Sequence, residues 1–221
     1  MVTPSSERDA TRALRSAGSS AAILAGVAVF AFGLIAVMHE ATRDDIAAAN
    51  RARLVARFDE ALAGERYDND LIADRIDLSD SELLGTTDPV PLYRARRAGR
   101  VVAVVLAPVA PGGYSGPIRL LVGIRSDGQL LGVRVTQHRE TPGLGDRIET
   151  RHSAWILGFA GRSLQDPPPD RWSVKKDGGD FDQFTGATIT PRAVVGAVAN
   201  ALAYFERHRA ELLQQPATIA P

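Results

Sequence analysis

Ile118-Arg-Leu-Leu-Val-Gly-Ile-Arg-Ser-Asp-Gly-Gln-Leu-Leu-Gly-Val-Arg-Val135 is the stretch on which the reading of the fold turns. Ile118, Leu120, Val122 and Ile124 alternate with Arg119, Leu121, Gly123 and Arg125. That is the period of two expected of a strand that buries one face. Ser126-Asp127-Gly128 supplies a turn, and Leu131, Val133 and Val135 resume the alternation. Two strands joined so closely form an antiparallel hairpin.

Upstream, Tyr93–Arg97 and Val101–Leu106 flank Ala98-Gly99-Arg100, which predicts a second hairpin. Val101-Val-Ala-Val-Val-Leu106 is a nearly continuous apolar run, as a buried strand would be. A loop holding Pro108, Pro111, Gly112, Gly113 and Gly116 separates the hairpins. Downstream, Thr190 suits a helix N-cap and Pro191 the first helical position. Val194, Val195, Val198, Leu202 and Phe205 then form an apolar stripe at helical spacing. The class is α+β, with an antiparallel sheet and packed helices over residues 86–212 and a flexible tail over 213–221.

Nearer the N-terminus, Ala17–Met38 holds 22 residues without a charge. A helix needs about 20 such residues to cross about 30 Å of hydrocarbon. A cleaved signal peptide has an apolar stretch of only about 7–15 residues and a small-residue cleavage site, which His39-Glu40-Ala41 does not offer. Residues 17–38 are therefore expected to form a single transmembrane helix after a cytoplasmic segment, 1–16. A helical connector, 39–85, follows, with Asp44–Gly64 as an amphipathic helix carrying Leu54, Val55, Phe58 and Leu62 on its apolar side. Arg8, Arg12 and Arg15 precede the span while Glu40, Asp44 and Asp45 follow it, although Arg43, Arg51, Arg53 and Arg57 blur the asymmetry. The expected orientation puts the C-terminal domain on the periplasmic side of a bacterial inner membrane.

Composition narrows the chemistry. Lys plus Arg and Asp plus Glu are both 26, so no net field draws the chain to nucleic acid. With no cysteine there is no disulfide, thiolate metal site, thiolate-ligated iron–sulfur cluster or cysteine nucleophile. His39, His138, His152 and His208 include no pair at the i, i+4 spacing of a helical metal site. No nucleophile–base–acid set appears, and no catalytic residue is assigned.

Two stretches are richer in Gly, Thr and Pro than packing requires: His138-Arg-Glu-Thr-Pro-Gly-Leu-Gly-Asp146, after the 118–135 hairpin, and Lys175–Thr190, before the terminal helix. In the second, Gly186 and Ala187 let the backbone approach a bulky anionic group. Thr185 and Thr188 present hydroxyls, and the helix N-terminus offers unpaired N–H donors. These features describe a phosphate site, to which Lys175 and Lys176 add charge. A plain helix cap accounts for Thr190 and Pro191 but leaves Asp182, Gly186 and Thr188 unexplained. At average residue usage, Asp-x-x-[Ser/Thr]-Gly-Ala-[Ser/Thr] arises by chance in roughly one chain in a thousand of this length.

Asp182-Gln-Phe-Thr-Gly-Ala-Thr188 resembles the recognition motif of the FMN transferase that takes FMN from FAD and joins its phosphate to the final Ser or Thr hydroxyl. With Glu140-Thr-Pro-Gly-Leu-Gly145, Gly113-Tyr-Ser-Gly-Pro-Ile118 and the N-terminal span, the chain resembles the G subunits of Rnf (Rsx) electron transport complexes over nearly its whole length. The resemblance implies an FMN-binding domain with FMN carried as a phosphoester on Thr188. It also implies a complex that couples ferredoxin and NAD chemistry to ion transport, with partner redox subunits and the FMN transferase for maturation. The C subunits of sodium-pumping NADH:quinone oxidoreductases share this domain and form one alternative. A non-redox, membrane-tethered module for a phosphorylated ligand is another. By the same resemblance the loop at Glu140 packs on the flavin. Gly143 and Gly145 would let the backbone approach the ring, Leu144 would give an apolar contact, and Glu140 and Thr141 would hydrogen-bond its polar edge. Arg139 reads equally as a partner of the reduced ring or as an ordinary exposed arginine. His138 and His152 read as peripheral, and Trp155 and Trp172 as core or shielding residues.

Overall fold

The computed structural model describes residues 4–214, with side chains from Leu24 onward. Residues 1–3 of the expected cytoplasmic segment and 215–221 of the expected tail lie outside the described residues, and Leu213 and Gln214 still belong to the last helix. The chain divides into two units, one ending at Arg53 and one beginning at Leu54.

Helix α1 (Pro4–Leu62) contains all of residues 17–38. Within the first unit, Phe30, Phe32, Leu34, Ile35 and Val37 are all exposed. A helix that is apolar on every side has no polar face to offer water, and this one is long and apolar enough to cross a membrane. The separate amphipathic helix expected from Asp44 is instead the continuation of α1. No Gly or Pro stands between Leu34 and Ala63, so nothing breaks the hydrogen-bond ladder before Ala63 and Gly64, at φ 50° and 84°, end it.

In the second unit a six-stranded antiparallel sheet is built from β1 (Arg75–Leu78), β2 (Val90–Arg97), β3 (Arg100–Leu106), β4 (Val109–Ala110), β5 (Ile118–Arg125) and β6 (Leu130–Gln137). Both expected hairpins form. Ala98 and Gly99 at φ 51° and 77° give the two left-handed central residues of the turn that matches strand twist. Strands β3 and β4 share one edge of β5, parted at Pro108, and β6 pairs along β5 through Arg119↔Gln137 to Ile124↔Leu130. The stretch read as a helical connector, 39–85, holds more than helix: β1 pairs with β2, and a short helix α2 (Ser81–Leu84) follows, capped by Asp80.

The sheet is buried on both faces. One packs on helix α3 (Ile189–Gln214) through Leu92, Val104, Leu106, Ile118, Leu120, Val122 and Ile124 against Val194, Val198, Leu202 and Phe205. The other, with Tyr93, Ala95, Ala103, Val105 and Leu121, packs on Phe58, Ala61 and Leu62 of α1. That second cover explains why Leu121 and Gly123 interrupt the polar side of the β5 alternation. A Cβ on Gly123 would lie 2.2 Å from the Ala61 carbonyl oxygen, so the last turn of α1 needs glycine there.

The edge of the sheet at β2 carries a buried charge cluster. Asp74 accepts from Arg94 Nε at 2.7 Å and Arg96 Nε at 2.5 Å, with all three residues buried. Asn69 joins the same edge, donating to the Arg94 carbonyl at 2.9 Å and accepting from the Arg96 amide at 2.7 Å.

Candidate functional site

Between β6 and α3 the chain makes no further strand but four single 3-10 turns: Gly145–Ile148, Trp155–Phe159, Pro169–Arg171 and Lys175–Asp177. An aromatic cluster organises them. Phe159 and Phe181 stack at 4.9 Å between centroids, Trp172 lies 4.9 Å from Phe181, and Trp155 meets Phe159 and Phe184 edge-on at 5.3 and 5.2 Å. Such offset and edge-to-face pairs are favourable beyond their buried area. The two tryptophans thus serve the core, as read from sequence.

This cluster suspends the segment from Asp182 to Thr188. Phe181 and Phe184 point inward, and Trp155 Nε1 donates to the Asp182 carbonyl at 2.8 Å. Phe184-Thr185-Gly186-Ala187 closes a turn, with the Ala187 amide donating to the Phe184 carbonyl at 3.1 Å. Gly186 sits third in that turn at φ 83°, where turns of type II require glycine. Asp182 and Thr185 are exposed. Lys175 Nζ pairs with Asp182 Oδ1 at 2.6 Å, whereas the exposed Lys176 side chain does not line the cleft formed beside this turn.

Helix α3 starts two residues earlier than its Thr-Pro signal implied, at Ile189 and not Pro191. The Thr188 carbonyl accepts from the Arg192 amide at 3.2 Å, so Thr188 stands at the helix entrance and Thr190 lies inside the first turn. Thr190 is therefore not the N-cap; its hydroxyl, 1% exposed, donates to Glu140 Oε2. The Thr188 hydroxyl is half-buried and has no hydrogen-bond partner among the described residues. The amides of Ile189 and Thr190 lie in the first turn, where no intrahelical acceptor exists, and Pro191 has no N–H to satisfy.

The other wall is the loop after β6. The Thr141 carbonyl accepts from the Leu144 and Gly145 amides, both at 3.1 Å, and Gly143 makes the bend at φ 77°. Leu144 is turned outward, and a Cβ on Gly186 would lie 3.8 Å from its Cδ2, so the two glycine-rich loops meet there. Gly145 is glycine for a different reason from the one its sequence context suggested. A Cβ would fall 2.8 Å from Glu140 Oε2 and 2.9 Å from Thr190 Oγ1, so the constraint comes from protein packing.

Below the loop, His138 Nδ1 accepts the Glu140 amide proton at 3.0 Å and Nε2 faces Glu149 Oε1 at 2.5 Å, which assigns the proton of the neutral ring to Nε2. His152 Nδ1 lies 2.6 Å from Asp146 Oδ2. The nearby Gly143 amide holds the Asp146 carboxyl below the ordinary carboxylate range despite burial, and His152 adds to the effect. Oδ1 itself has no well-aligned donor, so that amide acts by proximity. For Glu149, burial works upward but hydrogen bonds from His138 and Arg151 prevail, and its pKa is lowered too. A carboxylate whose pKa is lowered by folding adds stability above its unfolded pKa and loses it as pH falls through the folded value. Thermal melts should hold steady above the carboxylate range, near pH 4, and drop below it, with Asp146→Asn flattening the drop. An acid limb unchanged in that variant would show that Asp146 is not one of its sources.

Tyr114, Glu140, Thr141, Leu144, Gly145, Gly186, Ala187, Thr188, Ile189 and Thr190 enclose a cleft of about 380 Å³. This is the size of a site for a small organic ligand. Of the residues read from sequence, Asp182, Thr185, Gly143 and Lys176 stand outside its wall, and Arg139 is exposed elsewhere. Tyr114, Ile189 and Thr190 were not assigned to it. Tyr114, 68% exposed, belongs to the Gly113–Ile118 segment that carried the family resemblance, but nothing in that segment by itself tied it to the cleft. With Leu144 and Ile189, 43% and 44% exposed, it gives an apolar mouth to a cleft whose floor is a helix N-terminus.

An apolar mouth over such a floor suits a ligand that joins an apolar part to an anionic group. Residues 113–203, a span that includes the whole cleft, match the FMN-binding domain family, and residues 12–61 match the RnfG N-terminal region. The G subunit of the ion-translocating oxidoreductase complex of Pseudomonas aeruginosa is 49% identical over 90% of this chain and 93% of that protein. The Shewanella loihica protein of the same name is 45% identical over 92% and 96%. The crystal structure of Shewanella oneidensis NqrC aligns with 66% of this chain and 74% of that one, at 21% identity and a TM-score of 0.44. The chain belongs to the family formed by the G subunits of ion-translocating oxidoreductase complexes, and its apolar helix makes it a membrane-anchored member.

Proposed function

We propose that the chain is the FMN-carrying electron-transfer subunit of an Rnf-type ion-translocating oxidoreductase complex, with FMN held as a phosphoester on Thr188. The observation that carries this reading is the sorting of three hydroxyls in one short segment. Thr190 is buried and committed to Glu140, and Thr185 is exposed beyond the cleft wall. Of the three, only Thr188 combines a hydroxyl without a partner among the described residues with a place in the cleft wall, and it stands where α3 begins.

Attachment by the FMN transferase would join the FMN phosphate of FAD to Thr188 Oγ1, with AMP leaving and the hydroxyl proton released. The first-turn amides of Ile189 and Thr190 suit the phosphate, as does the dipole of α3. Asp182 and Lys175, exposed beside the turn, suit recognition by the transferase, with Thr185, Gly186 and Ala187 giving the turn its shape. Lys176 is retained only as long-range positive charge. Tyr114, Leu144 and Ile189 provide apolar surface for the ring, with Thr141 at its polar edge, while the oxygens of Glu140 are already held by Ser115 and Thr190. FMN supplies the redox chemistry; the protein sets its seat and access. Because the chain has no cysteine, electrons from thiolate-ligated iron–sulfur centres must come from partner subunits.

The domain is assigned to the periplasmic side, where a covalent bond and an anchor both oppose loss of the cofactor. Tethering also keeps the domain near its partners at millimolar effective concentration. The full chain made with the transferase should show a flavin absorption band that dithionite bleaches and air restores. A colourless protein from such cells would sink the flavoprotein reading.

A further inference from the structure

We infer that Glu140 is a positioning residue whose carboxylate ties together the three pieces of chain that wall the flavin cleft. The inference rests on the FMN reading above and adds a role that the sequence did not suggest. Glu140 is 4% exposed, and each of its oxygens is taken by a different segment. Oε1 accepts the Ser115 amide proton at 3.0 Å, which fixes the turn that carries Tyr114. Oε2 accepts the Thr190 hydroxyl, which fixes the first turn of α3 two residues beyond Thr188. Its own amide is held by His138 at 3.0 Å, and this anchors the 140–145 loop to the end of β6.

The glycines around the carboxylate fit the same design. A Cβ on Gly113 would come within 3.0 Å of Oε1, and one on Gly145 within 2.8 Å of Oε2, so both segments close directly on it. A carboxylate can accept at both oxygens at once, so one side chain bridges elements that are 25 and 50 residues away in sequence. Loss of that bridge frees Tyr114 on one side and the α3 entrance on the other. A planar ring bound between them then loses its fixed seat even while its phosphate stays attached. Glutamine can replace the bridge, because its carbonyl accepts from Ser115 and the Thr190 hydroxyl can turn to accept from its amide. Geometry, and not negative charge, is the property the site needs.

The test uses the full chain matured with the transferase, in wild-type, Glu140→Ala, Glu140→Gln and Thr190→Val forms. Visible-region circular dichroism per bound flavin reports the ring's asymmetric seat, and thermal melts on the same samples confirm that each form is folded at the assay temperature. Alanine should lose most of the visible signal, valine at Thr190 about half, and glutamine should restore it to near the wild-type level. An alanine form with undiminished signal overturns the inference, as does a glutamine form as deficient as alanine. Wild-type protein without flavin would sink the functional reading and this inference with it, whereas wild-type flavin with indifferent variants sinks the inference alone.

Discussion

Thr188→Val is expected to abolish covalent flavin completely, while Thr185→Val keeps it and Thr188→Ser restores it. The contrast follows from placement. Thr185 and Thr188 lie on either side of Gly186, yet only Thr188 lines the cleft and borders the amides that open α3. Valine matches threonine in shape but has no oxygen to esterify. The Thr188 hydroxyl makes no cap hydrogen bond among the described residues, so the helix-entrance change costs at most about 1 kcal/mol. Such a loss thins stability without unfolding an ordinary domain, so absence of flavin would report the missing hydroxyl and not a missing fold. Flavin fluorescence on a denaturing gel separates the cases. Persistence of the band in Thr188→Val, or its loss only in Thr185→Val, would move the attachment elsewhere.

Asp74→Ala should be the most destabilising single change in the second unit. The side chains of Asp74, Arg94 and Arg96 are at most 7% exposed, and the two guanidinium groups share one carboxylate. Removing a buried partner strands charge in a poor solvent, at a cost of about 3–5 kcal/mol. For a unit of this size each kcal/mol lowers the melting temperature by about 2–4 °C, so a fall of roughly 10 °C is expected by calorimetry or circular dichroism. Replacing all three residues by leucine or methionine should recover much of that loss, since the expense lies in unpaired charge. A fall of only a degree or two in Asp74→Ala would show that water reaches the guanidinium groups and that the cluster is not buried in solution.

What the sequence disclosed follows from how locally each feature is encoded. The hairpins were legible because Ala98-Gly99 precedes a continuous apolar run and Asp127-Gly128 stands between alternating ones. The membrane-spanning run was legible because length and lack of charge are enough to define it. The continuity of α1 through Leu62 carried a signal that amphipathic patterning hid, namely the absence of any Gly or Pro after Leu34 until Gly64. Strand β1 escaped because Arg75-Ile-Asp-Leu78 has two charges in four residues, and its place is set by pairing with β2.

At the site, Gly186 and Thr188 could be read from a compact motif, whereas the bond from Thr190 to Glu140 joins residues 50 positions apart. That bond also explains why Thr190, a good N-cap by type, does not cap. Its hydroxyl is drawn to a buried carboxylate, and the helix starts two residues earlier, at Ile189. Gly145 shows the same limit. Its type was read as room for a ligand, but the space it leaves is occupied by Glu140.

The most direct test of the account is the mass of the tryptic peptide Asp177–Arg192, which holds Thr185, Thr188 and Thr190 together. Protein matured with the transferase should yield this peptide heavier by one FMN less one water, and fragmentation should place the added mass on Thr188. An unmodified peptide, or a modification on Thr185 or Thr190, would contradict the central claim.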